Sequence, residues 1–97
     1  MEPEIRRSDV VVSTAGHDSG RLFYCVGTEG VYLELVNGKD HPLEKPKRKN
    51  CKHVRKVLRA ETRVAQKLLQ GDKVLNSELR RDLAQMSRNL ASHNQGG

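Results

Sequence analysis

The chain has no tryptophan, one phenylalanine and two tyrosines in 97 residues. Val, Leu and Ile must therefore fill the interior, and a domain this small buries only about 60 to 65% of its unfolded surface. The core is expected to be thin, with little room for a large ligand cavity. Cysteine is scarce too. Cys25 and Cys51, even with His41 and His53, lack the paired C-x-x-C knuckle of a structural zinc site, and Cys25 between Tyr24 and Val26 reads as a small buried hydrophobe. The opening Met1-Glu2-Pro3-Glu4-Ile5-Arg6-Arg7 is followed by no apolar stretch, which points to a reducing, cytoplasmic setting. No run approaches the roughly 18 apolar residues of a membrane span.

Positive charge is what the chain has in abundance. Eighteen Lys and Arg stand against twelve Asp and Glu, a net +6. Lys45 to Arg63 alone holds nine basic residues and one acid, so this block carries +8 and the remainder −2. Its densest part, Glu44 to Lys56 (EKPKRKNCKHVRK), has seven Lys or Arg in thirteen positions. Such a local field calls for a polyanionic partner, with nucleic acid ahead of membrane or acidic protein. The block contains no Gly or Ser, unlike a flexible linker, and Pro46 favours extended backbone before it.

Two periodicities divide the chain. In the first half, Asp9–Ser13, Leu22–Val26 and Val31–Val36 are rich in β-branched and aromatic residues and bounded by turn residues, with a weaker strand around His41–Leu43. Val31, Leu33 and Leu35 alternate with Tyr32, Glu34 and Val36, the pattern of a sheet with one buried face. Asn37-Gly38 reads as a tight hairpin turn. In the second half, Leu75, Leu79, Leu83, Met86 and Leu90 form one helical stripe, with Asn76 or Ser77 as cap. An earlier helix from about Ala60 to Gln70 stops at Gly71-Asp72. The tail from Ser92 to Gly97 is polar and expected to be disordered.

The loop Ala15-Gly16-His17-Asp18-Ser19-Gly20-Arg21 carries two glycines where backbone needs positive φ or close approach. It is not a P-loop, because a strand-like Leu-Phe-Tyr-Cys-Val follows it in place of a helix with Lys and Ser or Thr. His17, Asp18 and Ser19 are adjacent, so they cannot form a triad in which the base bridges nucleophile and orienter. No catalytic constellation is apparent. Of the three aromatics the core should claim at least two, leaving Tyr24 or Tyr32 as candidates for stacking on bases.

The run from Asp9 to Gly27 (DVVVSTAGHDSGRLFYCVG) resembles a KOW motif, with Gly20 at the hallmark glycine and Gly16 as its loop companion. Val36 to Lys49 (VNGKDHPLEKPKRK) is similar to the same part of small bacterial KOW-domain RNA-binding proteins, relatives of the KOW large-subunit ribosomal proteins of eukaryotes and archaea. The resemblance covers about residues 8–56. It implies an SH3-like β-barrel, binding to RNA, with ribosomal RNA or the large subunit as the expected partner, and no enzymatic activity; no cofactor is expected.

The expected fold is thus mainly β with an α extension: an SH3-like KOW barrel over residues 6–58, a two-helix extension over 59–91 and a tail over 92–97. The expected RNA contacts are Gly16, His17, Gly20, Arg21, Lys39, Lys45, Lys47, Arg48, Lys49, Lys52, Arg55 and Arg59, with Arg63 and Lys67 secondary. A rival reading is a protein-interaction adaptor that docks a partner through the barrel or through Leu79, Leu83, Met86 and Leu90.

Overall fold

The computed structural model describes residues 4–95. Five antiparallel strands form one sheet, β1 (Asp9–Ser13), β2 (Leu22–Glu29), β3 (Tyr32–Val36), β4 (Lys47–Asn50) and β5 (Val54–Arg59), in the order β4-β3-β2-β1-β5. Two helices follow, α1 (Arg63–Gln70) and α2 (Asn76–Gln95). No helix among the described residues is long and apolar enough to cross a membrane.

The outermost strands, β4 and β5, are joined only by a 3-10 turn at Cys51–His53. In a flat five-stranded sheet they would lie about 19 Å apart, whereas the chain from Asn50 to Val54 reaches about 14 Å at most and less when wound. The sheet must therefore curl at this corner. Val11, Phe23, Cys25, Leu33, Leu35 and Val54 pack together on one face. Their neighbours Val10, Tyr24 and Val36 point the other way, against Val64, Ala65 and Leu68 of α1 and Leu79, Leu83 and Met86 of α2. Alternation thus serves two cores in β1 and β2, whereas β3 keeps the expected division at Leu33 and Leu35, buried, and Tyr32 and Glu34, exposed. Val36 departs from it by packing against the helices, and Val31, expected on the buried face, is exposed just before the strand.

Hydroxyl and carboxylate groups hold the helices to the sheet. The buried Tyr24 phenol donates to the Asp82 carboxylate of α2, and Thr62 Oγ1 donates to the same oxygen at 2.8 Å. Thr62 Oγ1 also caps α1 by accepting from Ala65 N–H at 3.1 Å. Burial first, then the bond to Asp82, push the Tyr24 phenol well above its ordinary pKa and keep it a neutral donor. Asp82→Ala should cost about 2 kcal/mol, because it removes the acceptor that the two hydroxyls share and leaves them only each other, 3.1 Å apart, so that one donor goes unpaired and the charged acceptor is lost. Tyr24→Phe, which removes only one donor and leaves Thr62 to serve Asp82, should cost about 1 kcal/mol. Urea denaturation of the two variants tests this ordering, which equal losses would overturn.

Several boundaries differ from the sequence reading. The segment around His41–Leu43 is not a strand but part of a loop over residues 37–46, and the fourth strand is the basic Lys47–Asn50. Asn37 closes that loop: its Oδ1 accepts from Lys39 N–H at 2.9 Å and His41 N–H at 3.0 Å. A two-residue Asn37-Gly38 hairpin therefore does not form. Helix α1 begins three residues after Ala60, at Arg63, because Thr62 is its cap and Ala60 is buried in the core. Asn76 does not cap α2 but accepts from Leu43 N–H at 2.8 Å. The start of α2 is satisfied instead by Glu78, which accepts from Leu75 N–H at 3.0 Å. Helix α2 runs on to Gln95, so residues 92–95 of the expected disordered tail are helical in backbone. Gly96 and Gly97 lie outside the described residues.

Candidate nucleic-acid interface

The loop between β1 and β2, residues 14–21, keeps its two glycines at positive φ, Gly16 at 78° and Gly20 at 86°, with nothing within 4 Å of where a side chain would begin at either. Glycine is needed there for backbone conformation, and the space above it is open. Gly16, His17, Ser19 and Gly20 are exposed, whereas the Asp18 side chain turns inward and is 5% exposed.

Asp18 gathers three cationic or ionisable groups. Arg21 Nη1 lies 2.8 Å from Oδ1, the Lys47 ammonium binds Oδ2, and His41 Nε2 lies 3.5 Å from Oδ2. The hydrogen bond from Lys47, outweighing the cost of desolvation, holds the Asp18 carboxyl below its ordinary pKa. Arg21 also grips Asp40 with both terminal nitrogens, at 2.8 and 2.7 Å. That bidentate pair, aided by Asn37 Nδ2 at 2.8 Å, lowers the Asp40 pKa and raises that of Arg21. The loops over residues 14–21 and 37–46 are thereby tied into one surface. Asp18, Asp40 and His41 bring donor atoms within 4.8 Å of one another, but Arg21 and Lys47 already occupy the carboxylates. A divalent cation there would have to displace two resident positive charges.

Pleating divides the basic block. Lys47 and Lys49 stand opposite Leu35 and Leu33 in the β3–β4 register, so their side chains start on the face that carries the inner core. Lys47 reaches Asp18, and Lys49 donates to Ser13 Oγ at 2.6 Å and to the Ala15 carbonyl at 2.8 Å. Arg48, opposite Glu34, faces outward, with its guanidinium carbon 4.2 Å from the centre of the Tyr32 ring. The run Lys47-Arg48-Lys49 is therefore two internal braces around one outward group.

The other expected contacts sort in the same way. Lys39, Lys45, Lys52 and Arg55 are exposed and make no ion pair among the described residues. Lys39 and Lys45 belong to the 37–46 loop that is tied to the glycine loop. Lys52 and Arg55 share with Thr14 and Lys56 the rim of a cleft of about 520 Å³ floored by Leu33 and Val54. This opening at the curled corner is larger than a thin core led us to expect. Arg59 is set apart: it lies 3.6 Å from the buried Asp9, at the end of the β1–β5 pair away from the glycine loop. Lys56 approaches the same carboxylate at 3.1 Å. Of the secondary candidates, Arg63 is exposed at the start of α1 and Lys67 is held by Glu78 at 3.0 Å.

Asp18 and Asp40, the anchors of this surface, are not among the expected contacts; Asp18 reads from sequence as a partner of the turn backbone, whereas its carboxylate binds the Arg21 and Lys47 side chains. Their signal was there: each acid falls in a glycine-bearing loop, GHDSG or NGKD, followed by a basic or histidine residue. The face expected to dock a protein partner is used inside the fold. Leu79, Leu83 and Met86 are buried against the sheet, and Leu90 is half-buried. No family model matches the chain, and no curated protein matches it.

Proposed function

We propose that this chain is a non-catalytic RNA-binding protein with a KOW-type, SH3-like barrel braced by two helices, and that its partner is ribosomal RNA. The observation that carries the reading is the division of the cations: Arg21, Lys47 and Lys49 hold the open glycine loop in place, while Lys39, Lys45, Lys52 and Arg55 remain exposed and unpaired among the described residues. A braced, glycine-bearing loop lets a nucleic-acid backbone come close, and the exposed ammonium and guanidinium groups neutralise its phosphates. The barrel reading draws support from the curl that the short β4–β5 link imposes and from the inner core it encloses. The ribosomal target comes from the resemblance of residues 8–56 to KOW proteins.

If four or five cations meet phosphates, affinity should fall roughly a hundredfold between 50 and 200 mM salt. Fluorescence anisotropy with a ribosomal RNA fragment, alongside co-sedimentation with separated ribosomal subunits, provides the test. Absence of RNA binding at low salt, or an affinity indifferent to salt, would overturn the reading.

A further inference from the structure

The outward face at the β3–β4 edge is unlike the rest of the basic surface. Tyr32 is 39% exposed, and the Arg48 guanidinium lies over its ring at 4.2 Å. Around them, Glu29, Glu34 and Pro46 complete a depression of about 270 Å³. Glu29 is paired in register with Tyr32, and Glu34 with Arg48. Neither carboxylate makes an ion pair among the described residues, although a guanidinium is their neighbour. Glu34 turns away from Arg48 and lies across β2, where Gly27 has no side chain and the Glu34 Cδ comes within 3.6 Å of the place one would begin.

Two carboxylates make this patch a poor phosphate site. They are, however, acceptor-only groups with a fork of oxygens, suited to a ligand that presents adjacent N–H donors. The guanidinium, spread over the tyrosine and carried on a strand, offers a flat cationic surface of the kind on which unpaired bases stack. Among the RNA bases only guanine has two neighbouring N–H groups, N1–H and N2–H, on its Watson–Crick edge; adenine and cytosine each offer a single amino group, and uracil a single imide N–H.

Building on the RNA-binding reading, we infer that the Tyr32–Arg48 stack with Glu34 and Glu29 is a pocket for one unpaired guanine, which stacks on the Arg48 guanidinium while a carboxylate accepts from its Watson–Crick edge. The exposed cations hold the neighbouring backbone, and this patch supplies the base preference that phosphate contacts lack.

The test uses one RNA stem carrying a single-nucleotide bulge that is G, inosine, A, C or U. The wild-type chain should bind the G bulge about tenfold or more tightly than the A, C and U bulges, the worth of one good bidentate base contact. Inosine, which lacks the N2 amino group, should lose most of that margin. Glu29→Gln/Glu34→Gln should abolish the preference while retaining binding to the stem, and Tyr32→Ala should lower affinity for every bulge about tenfold. Equal binding to all five bulges, or a preference that survives in the double Gln variant, overturns the guanine pocket and leaves RNA binding intact. Failure to bind any of the stems at low salt overturns both.

Discussion

Lys47→Glu is expected to cost about 2 to 3 kcal/mol of folding stability, whereas Lys52→Glu/Arg55→Glu should leave stability within about 0.5 kcal/mol and lower RNA affinity at least tenfold. All three positions belong to one basic block, so the contrast rests on where each side chain goes. Lys47 binds Asp18, whose side chain is 5% exposed. Removing one partner of a buried pair costs about 3 to 5 kcal/mol. The expected figure is lower because Arg21 and His41 still face Asp18, and because the Lys47 side chain is itself 31% exposed. Lys52 and Arg55 are exposed and make no ion pair among the described residues. Each lost phosphate contact should also reduce the salt slope by about one.

The pH dependence of the Lys47 variant follows from Asp18. Its carboxyl is held below the ordinary range chiefly by Lys47, so it contributes stability above the unfolded value of about 4, and that contribution disappears as pH falls through the lower folded value. The stability gap between wild type and Lys47→Glu should therefore be widest near neutrality and narrow below about pH 4. Urea denaturation at pH 7, 4 and 3 measures it. A gap that stays constant would mean that Lys47 stabilises the fold by some route other than Asp18.

The elements whose own residues declare them were legible in the sequence. Strand β1 falls on Asp9–Ser13 as its Val-Val-Val run demands, and the 3.6-residue stripe of α2 faces inward at Leu79, Leu83 and Met86. Strand β4 was not legible, because Lys-Arg-Lys-Asn has no apolar alternation. Its extended backbone is supported by β3 and by partners more than twenty residues away, Asp18, Ser13 and Ala15. The same gap explains the site. Composition marks Lys47, Arg48 and Lys49 as equivalent, and only the pleat, fixed by pairing with Leu35, Glu34 and Leu33, separates internal braces from the outward group. Sequence alone does not show that Arg21 is braced, for a similar reason: its two carboxylate partners come from different loops. Tyr32 is one of two aromatics that sequence leaves free to stay outside, but nothing local pairs it with Arg48, sixteen positions on, which only the β3–β4 pairing brings to its ring.

Gly38→Ala is expected to be the most damaging single-methyl change in the chain, at about 3 to 5 kcal/mol. Asn37-Gly38 reads from sequence as a hairpin turn, a reading in which its glycine serves local geometry alone. Gly38 does sit at φ 77°, which costs a residue with a Cβ about 1 to 2 kcal/mol. A second demand comes from α2. A Cβ at Gly38 would drive into the Asn76 carbonyl oxygen and press on Leu79 Cβ at 3.0 Å and Arg80 Cγ at 3.2 Å. None of these neighbours yields easily. Leu79 is fully buried, Arg80 Nη1 donates to the Gly38 carbonyl at 2.6 Å, and the Asn76 side chain is tied to Leu43 and Glu44. Forcing a methyl into such a contact adds about 1 to 3 kcal/mol and lifts the first turn of α2 from the sheet. Gly16→Ala separates the two contributions, because Gly16 has nearly the same φ, 78°, and open space where the methyl would go. It should lose only the conformational 1 to 2 kcal/mol. Equal losses at the two positions, measured by urea denaturation, would show that α2 does not depend on the missing side chain at Gly38.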